Sequence, residues 1–433
     1  MSSRLDKLTA YDTKCLRDRI ACCEKLSFVL KGLHTINENE KGSDFYAAQL
    51  RKSPMFQLSL SSKELFHSNF LYWIWQISPE MFQFVITQLY NVAEGTTHLN
   101  EWPKEFHVLR EHLNFDLCVT YGKESDKTTK VWLVIENKVK SIPSLSQLNG
   151  YSQNSEDAKH LLLSLSTTFP NRDKILELSW GIANYGMLGD ILNDCISTNQ
   201  FSLDTYHASI ISDYANFVSA LHELQKSWQI KMGGKFIPEE HLDGLRINDL
   251  QEKHRFSNLY AELKNACKNR LGIDAIEDSS REEIFTKGHF AHDRNIFIGW
   301  GMTRAQGLLE AKIIVEENVV LLVQIQGNQY RHCIELRNKK SAEANWSHFS
   351  NYNLTSWFFR TNGEDSKPFK CFINSESPLE IRPNKTRKGK VEGFNKYGNE
   401  FLYQSITIPK CATVSEVIDM VIYDIERILQ RID

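Results

Sequence analysis

Apolar residues along the first half of the chain recur at either helical or strand-like spacing. Steps of three and four residues predict helices at 14–34, 65–75, 79–89, 144–152, 186–192 and 206–228. Runs rich in β-branched and aromatic residues predict strands at 106–109, 115–121, 131–139 and 161–165. Helices and strands that follow each other in this order predict an α/β layer structure.

The pattern changes in the second half. Short apolar runs between polar turns predict antiparallel strands at 295–299, 312–315, 319–326, 330–336 and 401–408. A closing helix is predicted after Thr413, which forms a capping box with Glu416. The 433 residues exceed the roughly 250 to 300 residues of a single core. We therefore expect two domains, 1–240 and 245–433, with the boundary in the segment 231–243 and with a second domain that is α+β and rich in strands.

The composition narrows the class of protein. Hydrophobic residues make up 41% of the chain and charged residues 24%, as in folded rather than disordered chains. Nine scattered cysteines without a C-x-x-C pair indicate neither a zinc site nor a disulfide framework, which favours the reducing cytoplasm. No signal peptide or membrane-spanning stretch is found, so no membrane partner is expected. Because the net charge is -3, nucleic acid would have to bind at a local basic surface.

Charged residues lie near the ends of two predicted strands. Asp116 follows the start of one, and the apolar strand after it runs directly into Glu136 and Lys138. Because side chains alternate across a strand, Glu136 and Lys138 share a face, which is also predicted to carry Trp132. A hairpin would bring Asp116 beside Glu136. Two converging carboxylates need a cation, and hard oxygen ligands select Mg²⁺ or Mn²⁺. A lysine beside that metal can orient the water that attacks a phosphodiester.

This arrangement resembles the PD-(D/E)XK nuclease superfamily, which includes many restriction enzymes and RecB-like exonucleases. Phe115 replaces the proline of the motif, at a position that varies in the family. Gln147 and Tyr151 form the Q-x-x-x-Y pair that flanks the active site in RecB-like members. The resemblance covers residues 54–225 and implies a restriction-endonuclease-like mixed sheet flanked by helices. It implies catalytic roles for Asp116, Glu136, Lys138, Gln147 and Tyr151 and a metal held by Asp116, Glu136 and the carbonyl of Asn137.

The helix before these strands carries Glu64 and His67 on one face. In the superfamily such a helix often supplies an extra carboxylate, which makes Glu64 a candidate metal ligand. A capping box between Ser61 and Glu64 explains the same glutamate without a metal. His67 is explained as well by a hydrogen bond in the core as by a phosphate contact.

Two basic features are candidate nucleic-acid contacts. Lys140 follows the strand that carries Glu136 and is either a phosphate contact or a solvated charge. The segment 382–390 is punctuated by proline and glycine, which predicts a loop able to grip a nucleic-acid backbone. Its five basic residues are Arg382, Lys385, Arg387, Lys388 and Lys390. A solvated surface loop explains them equally well.

A second E-x-K occurs at Glu310-Ala311-Lys312, with Asp293 upstream. Its apolar strand follows the motif instead of leading into it, and no Q-x-x-x-Y helix comes after it. We therefore reject it as a site and interpret it as the exposed start of a strand.

The resemblance implies a Mg²⁺- or Mn²⁺-dependent DNA endonuclease in bacterial defence, with RNA as an alternative substrate. A homodimer or a partner protein from a defence system fits this expectation. Two other classes stay open. One is a non-catalytic subunit that binds nucleic acid or takes part in an assembly. The other is an effector whose C-terminal domain senses a ligand or partner and holds the nuclease inactive.

Overall fold

A computed structural model describes residues 42–59, 63–122, 129–166, 168–169, 171–238, 242, 245–277, 294–316, 319–336, 357–359, 395–397 and 401–432. The predicted helix 14–34, the candidate cap Ser61, Asp293 and the basic segment 382–390 lie outside these residues. The described part of the chain is a mixed α/β protein with two β-sheets. Within it, no helix combines the length and hydropathy that are needed to cross a bilayer.

The first sheet contains five strands in sequence order, antiparallel from β1 to β3 and parallel from β3 to β5. The strands are β1 Phe106–His112, β2 Phe115–Tyr121, β3 Lys130–Lys138, β4 Lys159–Ser164 and β5 Trp180–Asn184. The first four match predicted strands. The sequence did not predict β5, because this short strand is buried throughout and so shows no alternation of apolar and polar residues.

A tight hairpin turn sets the register of β1 and β2. Leu113 and Asn114 both have positive φ angles, 54° and 67°, as a two-residue type I′ turn requires. This turn pairs His112 with Phe115 and so places Asp116 at the second position of β2.

Helices cover both faces of the first sheet. They are α1 Ser43–Lys52, α2 Pro54–Leu58, α3 Glu64–Ile77, α4 Pro79–Val92, α5 Leu145–Asn154, α6 Arg172–Glu177, α7 Tyr185–Ser197 and α8 Thr205–Lys226. The larger core includes Leu133 and Ile135 together with apolar residues of α3, α4, α7 and α8. The smaller core lies on the opposite face, where Val134 packs with Leu148 of α5 and Ile175 of α6. Helices α1, α2 and α6 were not predicted.

One predicted side-chain direction is wrong. Trp132 was expected on the face that carries Glu136, but it packs against the larger core, 4.6 Å from the ring of Trp102. The register of β2 and β3 shifts between Val119 and Thr120, so that Trp132 is an extra residue on β3. Such a bulge interrupts the alternation from which the direction was predicted.

Among the described residues, the second sheet has seven strands in the order β11-β12-β10-β9-β8-β7-β6. All pairs are antiparallel except β6 with β7. The strands are β6 Ile276–Glu277, β7 Ile296–Thr303, β8 Gln306–Glu316, β9 Val319–Gln326, β10 Gln329–Leu336, β11 Asn395–Tyr397 and β12 Phe401–Thr407. The five longer strands match the predicted ones, and only the two shortest were missed.

Two long helices, α9 Asn248–Ala266 and α10 Val414–Ile432, share a core with the second sheet. The predicted capping box of α10 is confirmed, since Glu416 N donates to Thr413 Oγ1 at 3.2 Å and Thr413 N donates to Glu416 Oε2 at 2.8 Å. Helix α9 was not predicted. Its buried residues include Gln251, His254 and Arg255, which obscure the apolar periodicity of the helix.

The segment predicted as the domain boundary contributes to both halves. Phe236 packs in the core of the second sheet, and its backbone N–H donates to Ala412 O at 2.8 Å. Further along the chain, Leu242, Leu245 and Ile247 pack back into the core of the first sheet.

Candidate active site

Asp116 and Glu136 lie on neighbouring antiparallel strands. The register pairs Leu117 with Ile135, and the backbone N–H of Asn137 donates to Asp116 Oδ2 at 2.8 Å. The fold therefore brings the carboxylate of Asp116 to the end of β3, where Glu136 lies.

Glu136 and Lys138 leave β3 on the same face and are buried, at 1% and 6% exposure. Lys138 Nζ lies 2.6 Å from Glu136 Oε1. Glu136 Oε2 is also buried, but it has no hydrogen-bond partner among the described residues. Leaving a buried carboxylate oxygen unpaired is energetically unfavourable. A cation or a donor from outside the chain would therefore be stabilised at this atom.

The environment perturbs all three charged groups. Burial raises the pKa of Glu136 to about 7, opposed by Lys138 and assisted by the nearby carboxylate of Asp116. Burial also raises the pKa of Asp116, against the hydrogen bond from Asn137. Burial acts to lower the pKa of Lys138, but the carboxylates around it outweigh that effect and raise the pKa. Strongly perturbed groups that face each other are typical of functional sites.

Helix α5 supplies the next contacts. Gln147 Nε2 donates to Glu136 Oε1 at 3.1 Å and to Tyr151 Oη at 2.7 Å. The ring of Tyr151 stands edge-on to Phe115, with centroids 5.2 Å apart. The structure thus joins Gln147 and Tyr151 to the carboxylate of β3, and Phe115 packs against the tyrosine.

The side chain of Asn137 points to the face of β3 opposite Glu136 and is fully buried. Its Nδ2 donates to Ser68 Oγ at 2.7 Å, and Tyr185 Oη donates to its Oδ1 at 3.1 Å. His67 lies beside this network and pairs through Nδ1 with Tyr214 Oη at 2.9 Å. Sequence reasoning missed the role of Ser68 and Tyr185 in fixing Asn137. Ser68 directly follows His67 on the helix that was singled out in the sequence, whereas no sequence pattern marked Tyr185.

Glu64 has a different role from the predicted cap. Helix α3 begins at Glu64, Lys63 occupies the N-cap position, and its side chain makes no capping hydrogen bond. The predicted capping box is therefore wrong, because it requires the glutamate at the third helical position. Glu64 Oε1 instead accepts from Ser141 Oγ at 2.6 Å and from the backbone N–H groups of Val139, Lys140 and Ser141. Glu64 thereby holds the turn that follows Lys138. Its role as a metal ligand stays a prediction.

Lys140 lies half-buried on this turn, next to helix α9 of the second half. Lys253 Nζ of α9 donates to Lys140 O at 2.8 Å. Burial lowers the pKa of Lys140, and the ammonium groups of Lys253 and Lys63 act in the same direction. The turn beside the carboxylates is thus contacted by both halves of the chain, and its Lys140 lies near Lys253 of α9 and near Lys63 at the start of α3.

The second E-x-K motif lies in the middle of β8, not at an exposed strand start. Lys312 is only 4% exposed, so the prediction of an exposed strand start is wrong. Lys312 Nζ lies 3.1 Å from Glu310 Oε2, and Gln324 Nε2 of β9 donates to Glu310 Oε1 at 2.6 Å. The contact with Gln324 comes from the neighbouring strand, so the local sequence does not reveal it.

The donor set at the end of β3 suits a hard cation. No group of three or more His, Cys, Asp or Glu residues in the described part of the chain could hold a metal by itself. Mg²⁺ does not require one, because it is commonly bound by one or two carboxylates, waters and substrate phosphates. Asp116 and the unpaired Oε2 of Glu136 fit that pattern.

Comparisons of the chain with protein-family models, curated proteins and solved structures found no match.

Proposed function

We propose that this protein is a Mg²⁺-dependent nuclease that hydrolyses phosphodiester bonds, with DNA as the preferred substrate. The observation that supports this most is the buried Oε2 of Glu136, which has no partner among the described residues although Asp116 and Lys138 stand beside the carboxylate. Three parts of the proposal come from the resemblance to the PD-(D/E)XK superfamily: that the substrate is DNA, that cleavage is endonucleolytic, and that the protein acts in defence against foreign DNA.

Asp116, Glu136 and the backbone carbonyl of Asn137 would hold the metal. When bound, Mg²⁺ supplies charge stabilisation for the phosphate and a water of lowered pKa. The buried bonds of Asn137 to Ser68 and Tyr185 keep the end of β3 fixed. Such fixation favours catalysis, because ligands that are already in place need no reorganisation during the reaction.

Lys138 is the residue assigned to the attacking water. Its ammonium group is held 2.6 Å from Glu136 Oε1, and from there it can orient a water and donate to a phosphate oxygen. Gln147 fixes both Glu136 and Tyr151 through its amide nitrogen. Glu64 holds the turn that carries Lys140, and Lys140 would contact the substrate backbone from there.

The test is a cleavage assay with the full chain on supercoiled plasmid, linear duplex, single-stranded DNA and single-stranded RNA. Each substrate is incubated with Mg²⁺, Mn²⁺ or EDTA. The variants are Glu136→Ala and Lys138→Ala, with Lys130→Ala as the matched control, because Lys130 is exposed at the other end of the same strand. Thermal denaturation shows that each variant is folded.

Metal-dependent cutting that both site variants abolish and Lys130→Ala retains is the expected result. Cleavage of RNA but not of DNA would support the proposed phosphodiester hydrolysis and show that RNA, not DNA, is the substrate. Equal cutting by wild type and both site variants would reject the site. If no form cuts, calorimetry with Mn²⁺ decides: binding that Glu136→Ala removes indicates a nuclease held inactive, whereas the absence of binding supports the non-catalytic class.

A further inference from the structure

The turn that follows β3, residues 139–141, is held by groups from the first half of the chain. Glu64 of α3 accepts hydrogen bonds from all three backbone N–H groups of this turn. Just before the turn, the backbone N–H of Leu165, which follows β4, donates to Lys138 O at 2.8 Å. These bonds fix the backbone of Lys138 and the N–H groups of the turn, and they leave the carbonyl of Lys140 to another partner.

That partner comes from the second half of the chain. Lys253 of α9 donates from Nζ to Lys140 O at 2.8 Å, across 113 residues of sequence. A hydrogen bond from an ammonium group is stronger than one between neutral groups. The next residue on α9, His254, is 1% exposed and lies near the backbone of Val139. Helix α9 therefore contacts the same turn that Glu64 holds.

The same stretch of α9 is fixed to the second sheet. Glu252, directly before Lys253, accepts through Oε2 from the backbone N–H of Gly307 on β8 at 3.1 Å. Phe256, one helical turn further on, is fully buried in the core of the second sheet. A Cβ atom added at Gly307 would lie only 1.9 Å from Cδ2 of Phe256, so the ring fills the space that a side chain there would need. Packing of this closeness leaves α9 no room to approach β8 further.

Contacts with the turn and contacts with the second sheet thus lie within a single turn of one helix. A helix moves as a rigid element, so a displacement of α9 on β8 would displace Lys253 with it. Catalytic sites are sensitive to such movements, because a displacement of about 1 Å can slow a reaction by about a hundredfold. The position of α9 on the second sheet therefore bears on the geometry at the end of β3.

We infer that α9 couples the second sheet to the site on β3, and that Lys253 is the positioning residue through which this helix holds the turn after Lys138. The second half of the chain then supports cleavage by keeping that turn in place. The effect on cleavage rests on the proposed function, whereas the hold on the turn does not. The two parts are therefore measured separately.

Hydrogen exchange measures the hold on the turn without any cleavage. The full chain is studied in EDTA, and mass spectrometry follows peptides that contain residues 139–141. Lys253→Met removes the donor and keeps the length of the side chain. Lys264→Met is the matched control on the same helix, because the ammonium group of Lys264 lies over the ring of Tyr260 instead. Exchange in the turn should become about tenfold faster or more in Lys253→Met and stay unchanged in Lys264→Met.

The link to the second sheet is tested from its far end. Gly307→Ala places a methyl group against Phe256 and should displace α9. Its matched control is Gly301→Ala on the neighbouring strand β7, where an added Cβ has no described atom within 4 Å apart from its chain neighbours. Exchange in the turn 139–141 should become about threefold faster or more in Gly307→Ala and stay unchanged in Gly301→Ala. A disturbance confined to the second core would not change exchange in this turn.

Cleavage measures the consequence for the site. With Mg²⁺ and saturating DNA, Lys253→Met should lower kcat by about tenfold or more, because one charged hydrogen bond to the turn is lost. Lys253→Arg keeps a charged donor and should recover most of the lost rate. Lys264→Met should cut like the wild type.

Unchanged exchange in Lys253→Met would overturn the positioning role of this lysine, and unchanged exchange in Gly307→Ala would overturn the coupling to the second sheet. Faster exchange in Lys253→Met together with a wild-type kcat would show that cleavage does not need the turn held, which overturns its role in the site. If the wild type cuts no substrate, the proposed function fails, and hydrogen exchange still decides whether α9 holds the turn.

Discussion

The chain contains two E-x-K motifs on strands, one at the end of β3 and one in the middle of β8. In both, the lysine ammonium contacts the carboxylate two residues earlier, at 2.6 Å for Lys138 and 3.1 Å for Lys312. Both lysines are almost fully buried. The pairs therefore look alike in sequence, in local geometry and in burial.

The two motifs differ in the hydrogen-bond and ion-pair partners of the glutamate oxygens. Both oxygens of Glu310 are bonded, because Oε1 accepts from Gln324 while Oε2 faces Lys312. Arg331 donates in turn to Gln324 Oε1 at 2.7 Å, so the pair belongs to a network of hydrogen bonds. At β3 one oxygen of Glu136 has no partner, and a second carboxylate, Asp116, lies beside it. A buried ion pair whose carboxylate oxygens all have partners within the chain is structural. A buried ion pair with an unpaired carboxylate oxygen indicates a binding site for a cation or a hydrogen-bond donor from outside the chain.

The largest expected effect of this difference is on cleavage. Glu136→Gln should reduce the rate of Mg²⁺-dependent cleavage by at least about a thousandfold, because the metal's stabilisation of transition-state charge is worth several kcal/mol. Glu310→Gln, the same substitution in the other motif, should leave the rate of the folded protein unchanged. Initial rates on plasmid DNA measure both. A loss of activity only in Glu310→Gln would place the site on β8.

Stability should respond in the opposite way. Glu310→Gln should lower the free energy of unfolding by about 3 kcal/mol, because it breaks a buried ion pair within a bonded network. Glu136→Gln, in EDTA, should change it by less than about 1 kcal/mol, since glutamine still accepts from Lys138 and relieves an unpaired carboxylate oxygen. Urea denaturation of both variants gives the two values. An equal loss in the free energy of unfolding for the two variants would mean that Glu136 and Glu310 contribute equally to stability. The proposed difference between the two motifs would then be wrong.

The sequence predicted the strands of both motifs but not their surroundings. Alternation within β3 was enough to place Glu136 and Lys138 on one face, and the antiparallel pairing of β2 with β3 brought Asp116 beside them. Gln324 and Arg331 come to Glu310 from other strands, and no local pattern encodes that contact. For the same reason the sequence did not show that Glu64 Oε1 holds a turn 75–77 residues away. Helix α9 was missed because polar residues occupy its buried face.

Each of the two sheets also buries a histidine, and the two histidines have different partners. His332 of β10 meets the carboxylate of Asp424 at 2.6 Å, whereas Nε2 of His160 on β4 lies 2.9 Å from the hydroxyl of Ser155. Burial lowers the pKa of His160 to about 4 from 6.5. As the pH falls below 6.5, the unfolded chain takes up a proton that the folded chain refuses until about pH 4. The stability due to His160 is therefore complete above pH 6.5 and decreases as the pH falls through that window.

Between pH 7 and pH 5 this single group should lower the free energy of unfolding by about 2 kcal/mol. His160→Gln should remove that part of the pH dependence, so the variant should lose about 2 kcal/mol less than the wild type. Urea denaturation at both pH values measures the difference. Parallel losses in the two proteins would show that His160 takes up a proton as readily in the folded chain as in the unfolded one.

The smallest effect concerns the tyrosines beside the two motifs. Tyr151 Oη accepts from Gln147, which also holds Glu136, whereas Tyr403 lies under the guanidinium of Arg331 at 4.6 Å from its ring centroid. Tyr151→Phe removes a hydroxyl from the network that fixes Glu136, so cleavage should slow by about tenfold, equal to one hydrogen bond of 1–1.5 kcal/mol. Tyr403→Phe keeps the ring under Arg331 and should leave cleavage unchanged. If both substitutions slow cleavage equally, the hydroxyl of Tyr151 does not act through Glu136, and the loss has a cause common to both sheets.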